Sequence, residues 1–79
     1  MSGNLVGSGL NSNAISILID DASATTTYIG KAPIGTATSA AKWQIQKISS
    51  SGTVTTIAWA AGSNHFGQIW DNRASLSYS

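Results

Sequence analysis

Few side chains in this chain could do chemistry, and their spacing limits what kind. Asp20-Asp21 is the only acidic pair. Neighbours on an extended strand project to opposite faces, so the two carboxylates do not converge on a metal or a substrate by themselves. A calcium loop would add further oxygen ligands at regular spacing. The pair reads instead as a turn that ends a strand. His65 is the sole histidine and cysteine is absent, so zinc would find no second nitrogen or sulfur donor. His65, Asp71 and any of the serines satisfy the composition of a nucleophilic triad, but no nucleophile-elbow motif accompanies them. His65 therefore reads as a surface or interface residue. No catalytic residue, cofactor or metal site is assigned, and the expectation is a protein that is not an enzyme.

Trp70-Asp71-Asn72-Arg73 is the most informative polar cluster. Asp71 and Arg73 share a face if the segment is extended. Asp71 and Asn72 can accept backbone N–H groups in a tight turn, and Arg73 offers a rigid fork of donors to a carboxylate or to carbonyls. Two roles follow. The cluster could lock a final strand to the body of the domain, or it could form an inter-subunit contact. In the second case the suspected interface residues are Trp70, Asp71, Arg73, Leu76 and Tyr78, because tryptophan and arginine are enriched among interface anchors. The aromatic residues Trp43, Trp59, Trp70, Tyr28 and Tyr78, with amides from Gln44, Gln46, Gln68 and Asn72, could alternatively make a sugar-binding platform. In so small a chain, three tryptophans are more readily explained as core.

Composition narrows the classes further. The chain has 79 residues, enough for one domain. It carries four basic and three acidic side chains, with no glutamate, so only 9% is charged where about a quarter is usual. Serine, threonine, asparagine and glycine fill the surface roles. A free monomer of this kind has little charge repulsion to keep it dispersed, whereas a subunit covered by neighbours needs little. The net charge of +1 and the scattered basic residues argue against direct nucleic-acid binding. Nothing resembles a signal peptide, and the longest apolar run is too short to cross a bilayer, so no membrane partner is expected. Without cysteine there can be no disulfide, and the redox compartment is left open.

The elements that must position these residues read as short strands. Residues 1–13, rich in Gly, Asn and Ser, read as a flexible or partner-bound arm, and residues 14–79 as a single small β domain. Ile15, Ile17 and Ile19 alternate with Ser16 and Leu18 in a first strand. A second spans Thr25 to Lys31, where Gly30 marks a bulge or a close neighbour. A long link through Pro33 and Gly35 follows. Trp43 and Ile45 point one way in a third strand, with Ile48 out of phase and a bulge expected near Lys47. Ser49-Ser50-Ser51-Gly52 is a hairpin signal. Ile57 and Trp59 line one face of the returning strand. Ile17, Trp43, Ile45, Ile57 and Trp59 are the suspected core. After a turn-rich loop from Ala60 to His65, Phe66, Ile69 and Trp70 allow a short helical turn, and Ala74 to Tyr78 alternates as a last strand. The fold class is all-β: a small antiparallel meander or sandwich of four to five short strands.

Tyr28-Ile29-Gly30-Lys31-Ala32, the Gly- and Thr-containing link, Trp43-Gln44-Ile45-Gln46-Lys47-Ile48 and the ending Trp70-Asp71-Asn72-Arg73-Ala74-Ser75-Leu76-Ser77-Tyr78 together resemble small structural proteins of tailed bacteriophages and their marine relatives. The resemblance spans roughly residues 25–79, and its ending is the most specific part. It implies a virion protein: a capsid decoration or cement subunit, or a neck or tail component, homo-oligomeric and in contact with another virion structural protein. It carries over no catalytic residue. The alternative is a receptor- or glycan-binding module of a tail fibre or surface structure, with a surface glycan as partner.

Overall fold

The structure, a computed structural model, describes residues 14–79. The arm expected over residues 1–13 lies outside the described residues. Five strands form an antiparallel sheet: β1 (Ile15–Ser23), β2 (Thr26–Pro33), β3 (Ala41–Ser51), β4 (Val54–Trp59) and β5 (Gln68–Ile69). The order is β1-β2-β3-β4, a meander, and β5 pairs with the beginning of β3. A 3-10 helix, Trp70–Ser75, follows β5. The all-β antiparallel reading is therefore correct, with one short helix added.

Turn chemistry sets the register. Ser51 pairs with Val54 across Gly52-Thr53, and Gly52 has φ 62°. A glycine with positive φ at the first central position is what a II′ hairpin requires, and its twist matches that of the flanking strands. Ser23 pairs with Thr26 across Ala24-Thr25, where the Thr25 N–H donates to the Ser23 hydroxyl. That hairpin moves a boundary: Asp20-Asp21 lies within β1 rather than ending it, because a bulge between Asp20 and Ser23 carries the strand onward. Conversely, no bulge occurs near Lys47. The register runs unbroken from Thr26↔Ser49 to Lys31↔Gln44 and from Gln46↔Trp59 to Ser51↔Val54. Ile48 is out of phase with Trp43 and Ile45 because it faces the other side of the sheet.

The alternation divides the sheet into two unlike faces. One carries Leu18, Tyr28, Gly30, Ala32, Trp43 and Ile45, and residues 70–79 fold across it. Tyr28, Ala32, Trp43, Ile45, Ala60 and Trp70 form the buried core, with Leu18, Leu76 and Tyr78 packed against it. The final strand expected over Ala74 to Tyr78 is replaced by the 3-10 helix and a single bridge, Ala60↔Tyr78. The physical reason is that Trp70 must reach Gly30 while Tyr78 reaches Tyr28, and a tightly wound turn shortens the path between them.

The opposite face carries Ile15, Ile17, Ile19, Ile29, Ile48, Ile57 and Trp59. Three suspected core residues, Ile17, Ile57 and Trp59, are thereby corrected. Ile17 is 56% exposed and so is Ile57, while Trp43 and Ile45 are almost fully buried. Trp59 is half-buried, and its register partner Gln46 puts it on the Ile57 side of β4, away from Trp43 and Ile45. Alternation alone identifies each strand's apolar stripe but not which stripe the chain itself covers.

Candidate functional site

The covered face is built around a close approach. A Cβ placed on Gly30 would lie 2.4 Å from Trp70 Cε3 and 2.6 Å from Cζ3, so the indole rests directly on the β2 backbone. Of the two readings of Gly30, a close neighbour is the one observed. Trp70 also meets Trp43, with ring centroids 6.0 Å apart and planes tilted by 41°, a geometry that aromatic quadrupoles favour. The Trp43 indole N–H donates to the Ala37 carbonyl at 3.0 Å, which ties the β2–β3 link to the core. The Asp71 N–H donates to the Thr38 carbonyl at 3.1 Å and ties the 3-10 helix to the same link.

Arg73 closes this arrangement from above. Its Nε donates to Asp20 Oδ2 at 2.9 Å and one of its terminal nitrogens, Nη1, to the Trp70 carbonyl at 3.2 Å. The guanidinium carbon lies 4.6 Å from the Trp70 ring centroid, within cation–π range. Tyr78, in the extended segment beyond the helix, makes a second set of aromatic contacts. Its ring sits 5.8 Å from that of Tyr28, its hydroxyl donates to the Arg73 carbonyl at 2.7 Å, and Lys47 Nζ is 5.7 Å from its centroid. Burial pushes the Tyr78 hydroxyl up to about 12, with Tyr28 adding to the rise and Arg73 opposing it. Residues 77–79 are held by backbone as well. Trp59 and Ser79 exchange N–H···O bonds at 3.1 Å, and the Ala61 N–H donates to the Ser77 carbonyl at 2.7 Å.

Trp70, Arg73, Leu76 and Tyr78, suspected as interface residues, are thus engaged with the body of their own chain. Asp71 is exposed. The partner that sequence reasoning missed is Asp20, which lies 53 residues from Arg73; no local signal could have paired them.

The open face is chemically different. Ile15, Ile17, Ile19 and Ile57 are 50%, 56%, 68% and 56% exposed. At about 100 Å² each they present some 400 Å² of aliphatic surface, the size of the largest patch on a typical monomer, which is often functional. Through the register, Ile19, Ile29, Gln46 and Trp59 form one row across all four main strands, with Ile48 and Ile57 beside it. Among the described residues three charges belong to this face: Lys31, Asp21 and, at its margin, Lys42, which alternates with Trp43 in β3 and is exposed. Lys31 stands opposite Ile17. The Asp21 carboxylate accepts from the Thr27 hydroxyl at 3.2 Å, and Thr27 shares this face with its register partner Ile48. Gln44 reaches the Asn64 carbonyl at 2.8 Å, so the loop after β4 borders the face at one end.

The residues that could do chemistry are not brought together. His65 and Asp71 are both exposed and form no ion pair. The carboxylates of Asp20 and Asp21 diverge, one to Arg73 and one to Thr27. Among the described residues no group of three or more His, Cys, Asp or Glu side chains could hold a metal ion, and no helix is long and apolar enough to cross a membrane. No family model matches the chain, and no curated protein or solved structure matches it.

Proposed function

We propose that this chain is a non-enzymatic structural subunit of a bacteriophage virion, a capsid decoration or cement protein or a neck or tail component, that assembles with itself and with a neighbouring virion protein. The observation that carries the assembly part is the unequal treatment of the two sheet faces. One is covered over its middle by the chain's own residues 70–79, with its hairpin end at Val54 left exposed, and the other leaves a stripe of isoleucines in water. A chain this short hides only about 60% of its unfolded surface on folding, and covering the second face by a neighbour would add the missing burial. The low charge suits a subunit whose surface is mostly in contact. The virion part draws on the resemblance of the Trp70-to-Tyr78 ending.

The test is direct. Purified particles from the source of this sequence should contain the chain in many copies, cross-linked to itself and to one other structural protein. A chain absent from particles, and monomeric by light scattering at high concentration, would overturn the reading.

The glycan-binding alternative loses most of its platform, since Trp43 and Trp70 are buried. It retains Trp59, with Gln46 opposite it in register on the open face. Glycan-array binding abolished by Trp59→Ala, with the fold intact, would favour it.

A further inference from the structure

We infer that the open face of the sheet is a twofold dimerisation face, on which a second copy of this chain packs sheet against sheet with the Lys31 of each copy meeting the Asp21 of the other. The inference rests on the assembly reading above and names its first contact.

The two charges that flank the apolar row select the occupant, while Lys42 lies beyond Gln44 at the margin of the face and is exposed. Lys31 and Asp21 are opposite in sign and lie on adjacent strands, and neither has an ion-pair partner among the described residues. Lys31 pairs in register with Ile17, so the two charges are separated by about 13 Å along the strands, too far to meet within one copy. A twofold axis lying across the strands, along the row Ile19–Ile29–Gln46–Trp59, exchanges their positions. Both pairs then form at once, the isologous arrangement of a symmetric dimer. A partner of single charge sign would answer one of the two and leave the other desolvated beside like charge. The self-pairing leaves the stripe of isoleucines facing the same stripe of the partner, as two sheets about 10 Å apart with interdigitated side chains.

Area is consistent with this occupant. A stable interface takes about 800 Å² from each partner. The four exposed isoleucines supply about half of that, and the half-buried Ile29, Ile48 and Trp59 with the flanking Gln44 and Gln46 extend the patch over the remainder. Among the described residues the loop after β4 meets this face at one margin, through the Asn64 carbonyl.

Sedimentation equilibrium of the full chain tests this, with cysteine trapping as a second measurement. The chain should be dimeric at micromolar concentrations. Lys31→Asp and Asp21→Lys should each weaken the dimer about tenfold, and an equimolar mixture of the two variants should recover most of the loss, because each copy then supplies what the other lacks. Ile19→Cys, the sole thiol in the chain, should give a covalent dimer with a short bis-maleimide, since Ile19 faces its own copy across the proposed axis and sheets about 10 Å apart hold the two thiols beyond disulfide reach. Ile57→Lys should give a folded monomer by near-ultraviolet circular dichroism. The charge variants decide the matter if Ile57→Lys fails to fold. A chain that is monomeric at all concentrations, a dimer indifferent to both charge variants, or a mixture no tighter than its components would overturn the inference. A monomer in solution that is nevertheless found in particles would sink this dimer while leaving the assembly reading standing. A dimer absent from particles would do the reverse.

Discussion

Gly30→Ala is the substitution whose sign says most about how residues 70–79 are held. A glycine in a strand interior is ordinarily a weak point, and alanine there would stabilise by about 0.4–1 kcal/mol through the unfolded chain. Here the new methyl would lie 2.4 Å from Trp70 Cε3 and 3.2 Å from Trp43 Cε3. Ordinary contact begins near 3.4 Å, so the Trp70 ring must retreat by about 1 Å. It cannot do so alone. Asp71 is bonded to the Thr38 carbonyl, and Arg73 both caps the ring and pairs with Asp20. Overpacking of this kind costs about 1–3 kcal/mol. If the ring is expelled outright, the loss approaches the ~3–5 kcal/mol of a buried aromatic truncation. Urea unfolding followed by circular dichroism measures it. We expect Gly30→Ala to destabilise by at least ~1 kcal/mol. In a Trp70→Ala background the same change should become neutral or stabilising, since the atoms it struck are gone. Stabilisation by Gly30→Ala in the otherwise unaltered chain would refute the close approach of Trp70 to β2.

Arg73→Lys should cost nearly as much as Arg73→Ala, about 1 kcal/mol, because an ammonium cannot bond the Asp20 carboxylate and the Trp70 carbonyl while lying flat on the indole; the half-exposed ion pair itself contributes little, so only a small part of the loss should vanish in high salt. The Tyr78 hydroxyl ionises near 10 in the unfolded chain and only near 12 when folded; the stability it lends is complete below pH 10 and is lost as pH rises through 12. Phenolate absorbance of Tyr28→Phe, which leaves Tyr78 as the only tyrosine, should show late ionisation, and titration near 10 would contradict the packing. Ala61 adopts φ 56° beside Gly62 at φ 66° in the turn after β4; relieving a left-handed alanine with Ala61→Gly should raise stability by about 0.5–1 kcal/mol in urea unfolding, the net of strain removed and chain entropy added.

The strands were legible in the sequence wherever a two-residue period met a turn signal. β1, β3 and β4 were readable from Ile15/Ile17/Ile19, Trp43/Ile45 and Ile57/Trp59, and the hairpin at Gly52 from its serine run. The sides of the sheet were not legible. Ile17 and Trp43 belong to equally apolar stripes, and which stripe is covered depends on where residues 70–79 land, a contact between segments far apart in sequence. Ile48 shows the same limit: an out-of-phase isoleucine suggests a bulge until a second apolar face is seen to exist. At the candidate site, the Trp70-to-Tyr78 cluster was visible as unusual. Its use as a clamp depends on Gly30 and Asp20, whose roles become clear only in three dimensions. Asp20 in particular was readable only as a turn residue, because a bulge that extends β1 past Asp21 leaves no local mark.

The central claim is that one face of the sheet is covered by the chain itself and the other by a neighbour. A residue-resolution electron cryo-microscopy map of the particle containing this chain tests it most directly. It should show Trp70 seated on Gly30 in every copy and the Ile17, Ile19 and Ile57 side chains covered by protein. Isoleucines left facing solvent in the assembled particle, or residues 70–79 lifted from the sheet to bind a neighbour, would contradict the account.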